Sequence, residues 1–109
     1  MTRVTIYQKD GELRGFSCEG HAGYAEHGKD IVCAAASMIS TNTVNAFYKF
    51  TKDVPVVHVE GDNAVISCQF KKKLSPEGEL LLKTFELGVN TIMEQYGKEF
   101  LLVTYAQEC

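Results

Sequence analysis

The Asp10-Gly11 pair constrains the fold of this chain more tightly than any other short segment. It separates two apolar runs, 4–7 and 13–19, and an Asp-Gly pair readily adopts the positive φ values of a tight hairpin turn. A second pair of runs within 55–70 is joined through Gly61-Asp62. The sequence therefore predicts two β-hairpins.

Two helices are predicted between and after these hairpins. The first spans Asp30 to Thr51 with Asp30 as its N-cap, because a short acidic side chain there can accept hydrogen bonds from free amides. Ser75-Pro76-Glu77 has the N-cap, first-turn proline and first-turn acid of a second helix, which Gly97 ends. The apolar run 100–105 is a closing strand.

The resulting order, ββαββαβ, predicts an α+β two-layer sandwich, a mostly antiparallel sheet with two helices on one face. We expect one domain over residues 1–109, since this length suits a single core. The N-terminal segment has no apolar stretch of signal-peptide length, and no run approaches the roughly 18 apolar residues of a membrane span. We therefore expect a cytoplasmic protein without a membrane partner.

The two predicted helices carry more apolar surface than one core requires. Between Asp30 and Lys49 there is no charged residue, which is unusual for a helix with one face in water. In the second helix Leu80 and Leu87 fall outside the apolar stripe. We therefore expect a homodimer. The core stripes predicted from helical spacing are Ile31, Ala35, Met38, Ile39, Ala46 and Phe50 in the first helix, and Leu81, Leu82, Phe85, Val89, Ile92, Met93 and Tyr96 in the second.

The charge balance argues against nucleic acid as a partner. The net charge is -3, whereas general polyanion binding needs a basic field that releases counterions. The one basic run, Lys71 to Lys73, is more typical of a solubilising strand end. We expect no nucleic-acid partner.

His21 and Cys33 are the candidate catalytic pair. With Asp30 as N-cap, Cys33 would be the third helical residue, where unpaired amides and the helix dipole favour a thiolate. A helix end contributes only about 0.3 to 1 kcal/mol, so a strong shift of the thiol needs a nearby cation. His21 follows the second strand and can supply it as an imidazolium.

Other residues of this segment have supporting roles in the hypothesis. Asp30 either caps the helix or orients His21, while Ser37, one turn after Cys33, donates to the sulfur or an oxyanion or bonds back to its own helix. We assign the loop glycines Gly20, Gly23 and Gly28 to a backbone that approaches the substrate closely. Glu26 and His27, in the same loop, are weaker candidates for substrate contact or a base.

Gly20-His21-Ala22, followed by a polar loop, Asp30-Ile31-Val32-Cys33-Ala34-Ala35 and Ser37, resembles the signature of the ribosomal-processing cysteine protease family Prp, also called YsxB-like. The resemblance implies a homodimeric cysteine endopeptidase with His21 and Cys33 as its dyad and without a cofactor. It also implies a substrate, the N-terminal extension of the twenty-seventh protein of the bacterial large ribosomal subunit. Cleavage after an aromatic residue would require an apolar pocket near Cys33.

Two alternatives use the same residues differently. Cys18, His21, His27 and Cys33 have the spacing C-x2-H-x5-H-x5-C, which suits a small zinc module, although Cys18 shares its strand face with Phe16 and should point into the core. A non-catalytic, ribosome-associated binding module would use the acidic surface to hold a basic segment. Because the four cysteines show no closely spaced framework, we expect free thiols.

Overall fold

The computed structural model describes residues 1–20, 27–61 and 65–108, with the backbone alone for residues 27–30. Its elements follow the predicted order ββαββαβ. The strands are β1 (Thr2–Lys9), β2 (Glu12–Glu19), β3 (Val56–Glu60), β4 (Val65–Gln69) and β5 (Leu101–Gln107), and the helices are α1 (His27–Phe50) and α2 (Pro76–Tyr96).

The five strands form one sheet in the order β3-β4-β2-β1-β5. Only β1 and β5 are parallel, and the other three neighbouring pairs are antiparallel. Opposite residues in this register share a face of the sheet, and one face carries the buried side chains that α1 and α2 cover. The predicted α+β sandwich is confirmed. The buried strand residues are Val4, Ile6, Phe16, Cys18, Cys68, Leu101 and Val103.

The first hairpin turns at the predicted residues. Asp10 and Gly11 have φ values of 53° and 80°, as expected of a two-residue turn matched to the twist of its strands. Arg14 is an extra residue of β2, since Tyr7 pairs with Gly15 while the next residue of β1 pairs with Leu13. At Gly15, where φ is 157°, a Cβ atom would collide with the carbonyl oxygen of Cys68. Glycine therefore lets β4 approach β2.

α2 begins and ends as its sequence predicts. The Ser75 hydroxyl accepts a hydrogen bond from the amide of Gly78 at 3.1 Å, Pro76 occupies the first turn, and the amide of Gly97 donates to Met93 O at 2.9 Å. The predicted stripe faces the core through Leu82, Phe85 and Val89, whereas Leu80 and Leu87 are exposed.

α1 differs from the prediction at its start. It begins at His27, so Asp30 is its fourth residue and not its N-cap. No proline interrupts residues 27–33, and the backbone amides are therefore free to continue the helix one turn earlier. Gly28 likewise lies in α1 and not in the preceding loop, because a glycine weakens a helix without preventing one.

The core face of α1 also differs from the predicted stripe. Ile31, Met38 and Phe50 are exposed, with Met38 67% accessible. Hydroxyls replace them at the sheet because Ser40 and Thr43 donate to the carbonyls of Ala36 and Ile39, each at 2.7 Å, and so are buried without an unmet bond. Within the described residues, no helix has the length and apolar character needed to cross a membrane. The side chains that face the sheet are Val32, Ala36, Ser40, Thr43, Val44 and Phe47.

Candidate active site

Cys33 is the seventh residue of α1 and is half-buried. The prediction that it lies in the first turn is wrong, since the four amides without an intrahelical partner belong to residues 27–30. The helix dipole acts chiefly within that first turn. Cys33 therefore depends on its side-chain neighbours more than on the helix end for activation.

The sulfur of Cys33 packs against the end of β2. A Cβ atom built on Gly20 would lie 3.2 Å from Cys33 Sγ and 3.3 Å from Thr2 Oγ1. Gly20 thus provides room for the thiol, and its φ lies outside the left-handed region. The structure brings Cys33 to the point where the chain leaves the sheet toward His21, as the sequence analysis predicted for the pair.

Two further thiols lie in the core and are chemically muted. Burial is the main cause that raises the pKa of the Cys18 thiol; a hydrogen bond with Ser40 lowers it, and the negative charges of Cys33 and Glu19 raise it further. Burial raises the pKa of Cys68 to about 12. All three cysteines that the structure describes are free thiols, and of these Cys33 is the accessible one.

Thr2, Cys18 and Ser40 form the inner side of this site, and the sequence analysis did not assign them to it. Thr2 is 3% exposed at the start of β1, opposite the end of β2, where its side chain meets the space beside Gly20. The antiparallel pairing of the first hairpin is the signal that could have identified Thr2. Nothing in the spacing of Cys18 or Ser40 indicated that they meet near Cys33.

Several predicted site residues cannot be compared with this geometry. His21, Gly23 and Glu26 lie outside the described residues, as do the side chains of His27 and Asp30. Ser37 is exposed and, unlike Ser40, forms no bond back to its helix among the contacts of the described residues. Its hydroxyl is available for another partner.

The zinc alternative depends on two of these side chains, those of His21 and His27. Among the described side chains, no group of three or more histidine, cysteine or carboxylate residues could hold a metal ion. Cys18, which that alternative requires, is 4% exposed and faces the core with Phe16, as its strand position predicted. The raised pKa of its thiol disfavours the thiolate that binds zinc.

An apolar row leads from Cys18 to the edge of the sheet. Cys18 pairs with Ile66, and Ile66 pairs with Val59 on the edge strand β3, so the three side chains share the helix-covered face. Ile66 is half-buried, whereas Val59 is 64% exposed. This row, Cys18-Ile66-Val59, offers apolar surface at the end of the sheet where Cys33 lies.

Comparison with known sequences agrees with the family resemblance. The model of the family Cysteine protease Prp matches residues 1–100. The Ribosomal processing cysteine protease Prp of Staphylococcus aureus (strain NCTC 8325 / PS 47) is 30% identical over 103 residues, covering 94% of this chain and 97% of that protein. Its Bacillus subtilis (strain 168) counterpart of the same name is 31% identical over 109 residues, covering 95% and 96%.

Solved structures share the fold. The Prp protease from S. aureus in complex with a substrate peptide has a TM-score of 0.89 at 29% identity, covering 97% of this chain and all of that one. The protein SMU.848 from Streptococcus mutans has a TM-score of 0.87 at 28% identity, covering 99% and 96%. Together with the exposed thiol at Gly20, these matches establish that the chain belongs to the Prp family and is a cysteine protease.

Proposed function

We propose that this protein is a cytoplasmic endopeptidase that removes the N-terminal extension of the twenty-seventh protein of the bacterial large ribosomal subunit. Cys33 is its nucleophile and His21 its general base. The observation that carries the assignment is the half-buried Cys33 sulfur against Gly20, the residue bonded directly to His21. The Prp relatives carry ribosomal processing in their names.

The proposed chemistry is acyl transfer through a thioester. His21 takes the proton of the Cys33 thiol, the thiolate attacks the scissile carbonyl, and the imidazolium then protonates the leaving amine. A water molecule, deprotonated by His21, hydrolyses the thioester and regenerates the thiol. Every proton removed by the imidazole is thereby returned to a leaving group.

Ser37 and Asp30 support this reaction in the proposal. Ser37 is exposed one turn after Cys33, on the same side of α1, and its hydroxyl donates to the oxyanion of the tetrahedral intermediate. Asp30, within α1 rather than at its cap, orients the His21 imidazole. Gly20 and Gly23 border the substrate on the segment that carries His21.

The apolar row is the proposed contact for the substrate side chain that precedes the cut. Ile66 and Val59 together present partly exposed aliphatic surface at the Cys33 end of the sheet. An aromatic residue buried on it removes a large apolar area from water. Val59→Asp should therefore raise KM for a peptide with an aromatic residue before the cleaved bond.

We also propose that the protein is a homodimer joined through its helices. Met38 of α1 and Leu87 of α2 are 67% and 69% exposed, and both line a groove of about 680 Å³ between the helices. Exposed apolar surface of this kind favours self-association. Met38→Glu should therefore yield monomers in sedimentation experiments, whereas Val59→Glu, at a similarly exposed valine, should not.

The decisive experiment compares the unmodified protein with its Cys33→Ala variant on the extended ribosomal protein, followed by intact-mass spectrometry. Loss of an N-terminal peptide with the unmodified protein alone supports the proposal. Cys68→Ala is the matched control, because it removes a thiol that is buried away from the surface and should retain cleavage wherever it remains folded. Equal cleavage by the Cys33→Ala variant would exclude Cys33 as the nucleophile.

The same proteins separate the two alternatives. A binding module would hold the ribosomal protein without cleaving it, with the same affinity before and after the Cys33→Ala change. A zinc module would contain one zinc per chain and lose its activity on chelation. Cleavage that persists in a chelator would dismiss the zinc alternative.

A further inference from the structure

A concave site opens at the end of α1 that is remote from Cys33. Its volume is about 430 Å³, and it lies between the segment that follows α1 and the segment that follows β4. We call it the basic groove. Its lining residues are Lys52, Asp53, Val54, Val56, Phe70, Lys71, Lys72 and Lys73.

The groove concentrates positive charge in a chain whose net charge is -3. Folding brings Lys52 beside the run 71–73, although the two segments are far apart in sequence. Lys73 pairs with Glu12 at 3.3 Å. Lys52, Lys71 and Lys72 are exposed and have no ion pair with any residue that the structure describes.

The carboxylate of Asp53 is the acidic group that lines the groove, and it is already engaged. Its two oxygens accept hydrogen bonds from the amide and the hydroxyl of Ser75, at 3.0 Å and 2.6 Å. Asp53 thereby anchors the start of α2 and is not paired with a lysine. The positive rim of the groove remains available to an external anion.

The base of the groove is apolar and partly open. Val54 is 79% exposed and Val56 is 49% exposed, whereas Phe70 is buried beneath them at 4%. A cationic rim over an apolar base suits a polymer that has both a charged backbone and flat apolar faces. Single-stranded RNA has this combination in its phosphates and its bases.

We propose that the basic groove binds the phosphate backbone of RNA and docks the protease on an RNA-containing ribosomal particle. The choice of RNA rests on the proposed ribosomal function, because phosphate is the abundant anion on such a particle. The expectation of no nucleic-acid partner came from the net charge, whereas binding responds to the local field. Because the rest of the chain is acidic on balance, RNA engages this end in one orientation.

This orientation leaves the active site free. Cys33 and the end of α1 at Phe50 are separated by about 26 Å of helix, at about 1.5 Å per residue. RNA in the groove therefore does not cover the thiol. Docking raises the local concentration of enzyme at a substrate on the particle, so it lowers KM for that substrate and leaves cleavage of a free peptide unchanged.

The test is the affinity of the full chain for a short, fluorescein-labelled single-stranded RNA of mixed sequence, measured by anisotropy over a salt series. The Lys71→Glu/Lys72→Glu variant should bind about tenfold more weakly and lower the slope of log affinity against log salt by about two, one for each lost phosphate contact. The matched control, Lys83→Glu/Lys98→Glu, changes the net charge equally at exposed lysines outside the groove. It should retain most of the affinity.

Three results would overturn the assignment. These are no binding by the unmodified protein at low salt, equal losses in the two double variants, and displacement of the RNA by poly-glutamate at equal charge concentration, which would indicate an acidic protein partner. Cleavage of a free substrate peptide by the same variants is measured in parallel. If no variant cleaves, the proposed protease substrate is wrong, whereas the difference in RNA affinity still decides the groove.

Discussion

Gly20→Ala tests whether the sulfur of Cys33 is held in position by the end of β2. The new Cβ atom would lie 3.2 Å from Cys33 Sγ and 3.3 Å from Thr2 Oγ1, closer than ordinary van der Waals contact by a few tenths of an ångström. Thr2 is held in β1, where its amide donates to Phe100 O at 2.9 Å. The half-buried thiol is therefore the group that moves.

The displacement is small, but nucleophilic attack is sensitive to it. A misplacement of about 1 Å can reduce a rate about a hundredfold, so a shift of a few tenths of an ångström should lower kcat/KM about tenfold. That change corresponds to about 1.4 kcal/mol of transition-state stabilisation. The folded state should be affected less, because replacing glycine at an accessible φ stabilises by about 0.4 to 1 kcal/mol through the unfolded chain, which offsets the crowding.

The assay combines kcat/KM on a substrate peptide with the midpoint of thermal unfolding. Gly61→Ala is the matched control, since a Cβ atom there meets nothing within 4 Å, and it should retain full activity. The reasoning is refuted if Gly20→Ala cleaves as fast as the unmodified protein. It is equally refuted if the activity lost is no more than the fraction of protein that has unfolded.

Three further predictions concern the core and the caps. Because burial raises the pKa of Cys68 to about 12, the folded state retains a proton that the unfolded thiol releases above its usual pKa of 9.0. The free energy of unfolding should therefore fall as the pH rises from about 9 to 12, by up to about 1.4 kcal/mol per pH unit from this group, and Cys68→Ala should reduce that slope in urea titrations. Phe16→Ala removes a fully buried ring stacked on Phe85 with centroids 4.0 Å apart; it should lower the free energy of unfolding by about 3 to 5 kcal/mol, and a loss below 1 kcal/mol would contradict the packing. Asp53→Ala leaves the amide of Ser75 without its acceptor and should destabilise by about 1 to 3 kcal/mol, with partial recovery in Asp53→Asn, as judged by chemical denaturation.

Local chemistry made most of the fold predictable. The Asp10-Gly11 turn and the Ser75 cap depend on a few adjacent residues, whose backbone preferences and hydrogen bonds persist in the folded protein. The start of α1 was less predictable because His27 and its neighbours have no strong capping signal. Asp30, the best local candidate for a cap, was taken up into the helix instead.

The buried face of α1 illustrates why apolarity alone can mislead. Met38 is more apolar than Ser40, yet Met38 is exposed and Ser40 is fully buried. The Ser40 hydroxyl removes its own penalty for burial by donating to Ala36 O. Which side of the helix faces the sheet then depends on shape and on contacts with β2 and β4, which lie elsewhere in the sequence.

The sequence by itself determined the order of the elements, the two hairpins, the limits of α2 and the choice of Cys33 as candidate nucleophile, because turns, caps and motifs act over a few residues. Only the tertiary structure decided that Thr2 and Gly20 border the Cys33 sulfur and that Lys52 joins the lysine run in one groove. The physical reason is that sheet pairing and helix packing bring distant segments within contact distance. The free energy that fixes those contacts comes from burial of the whole core.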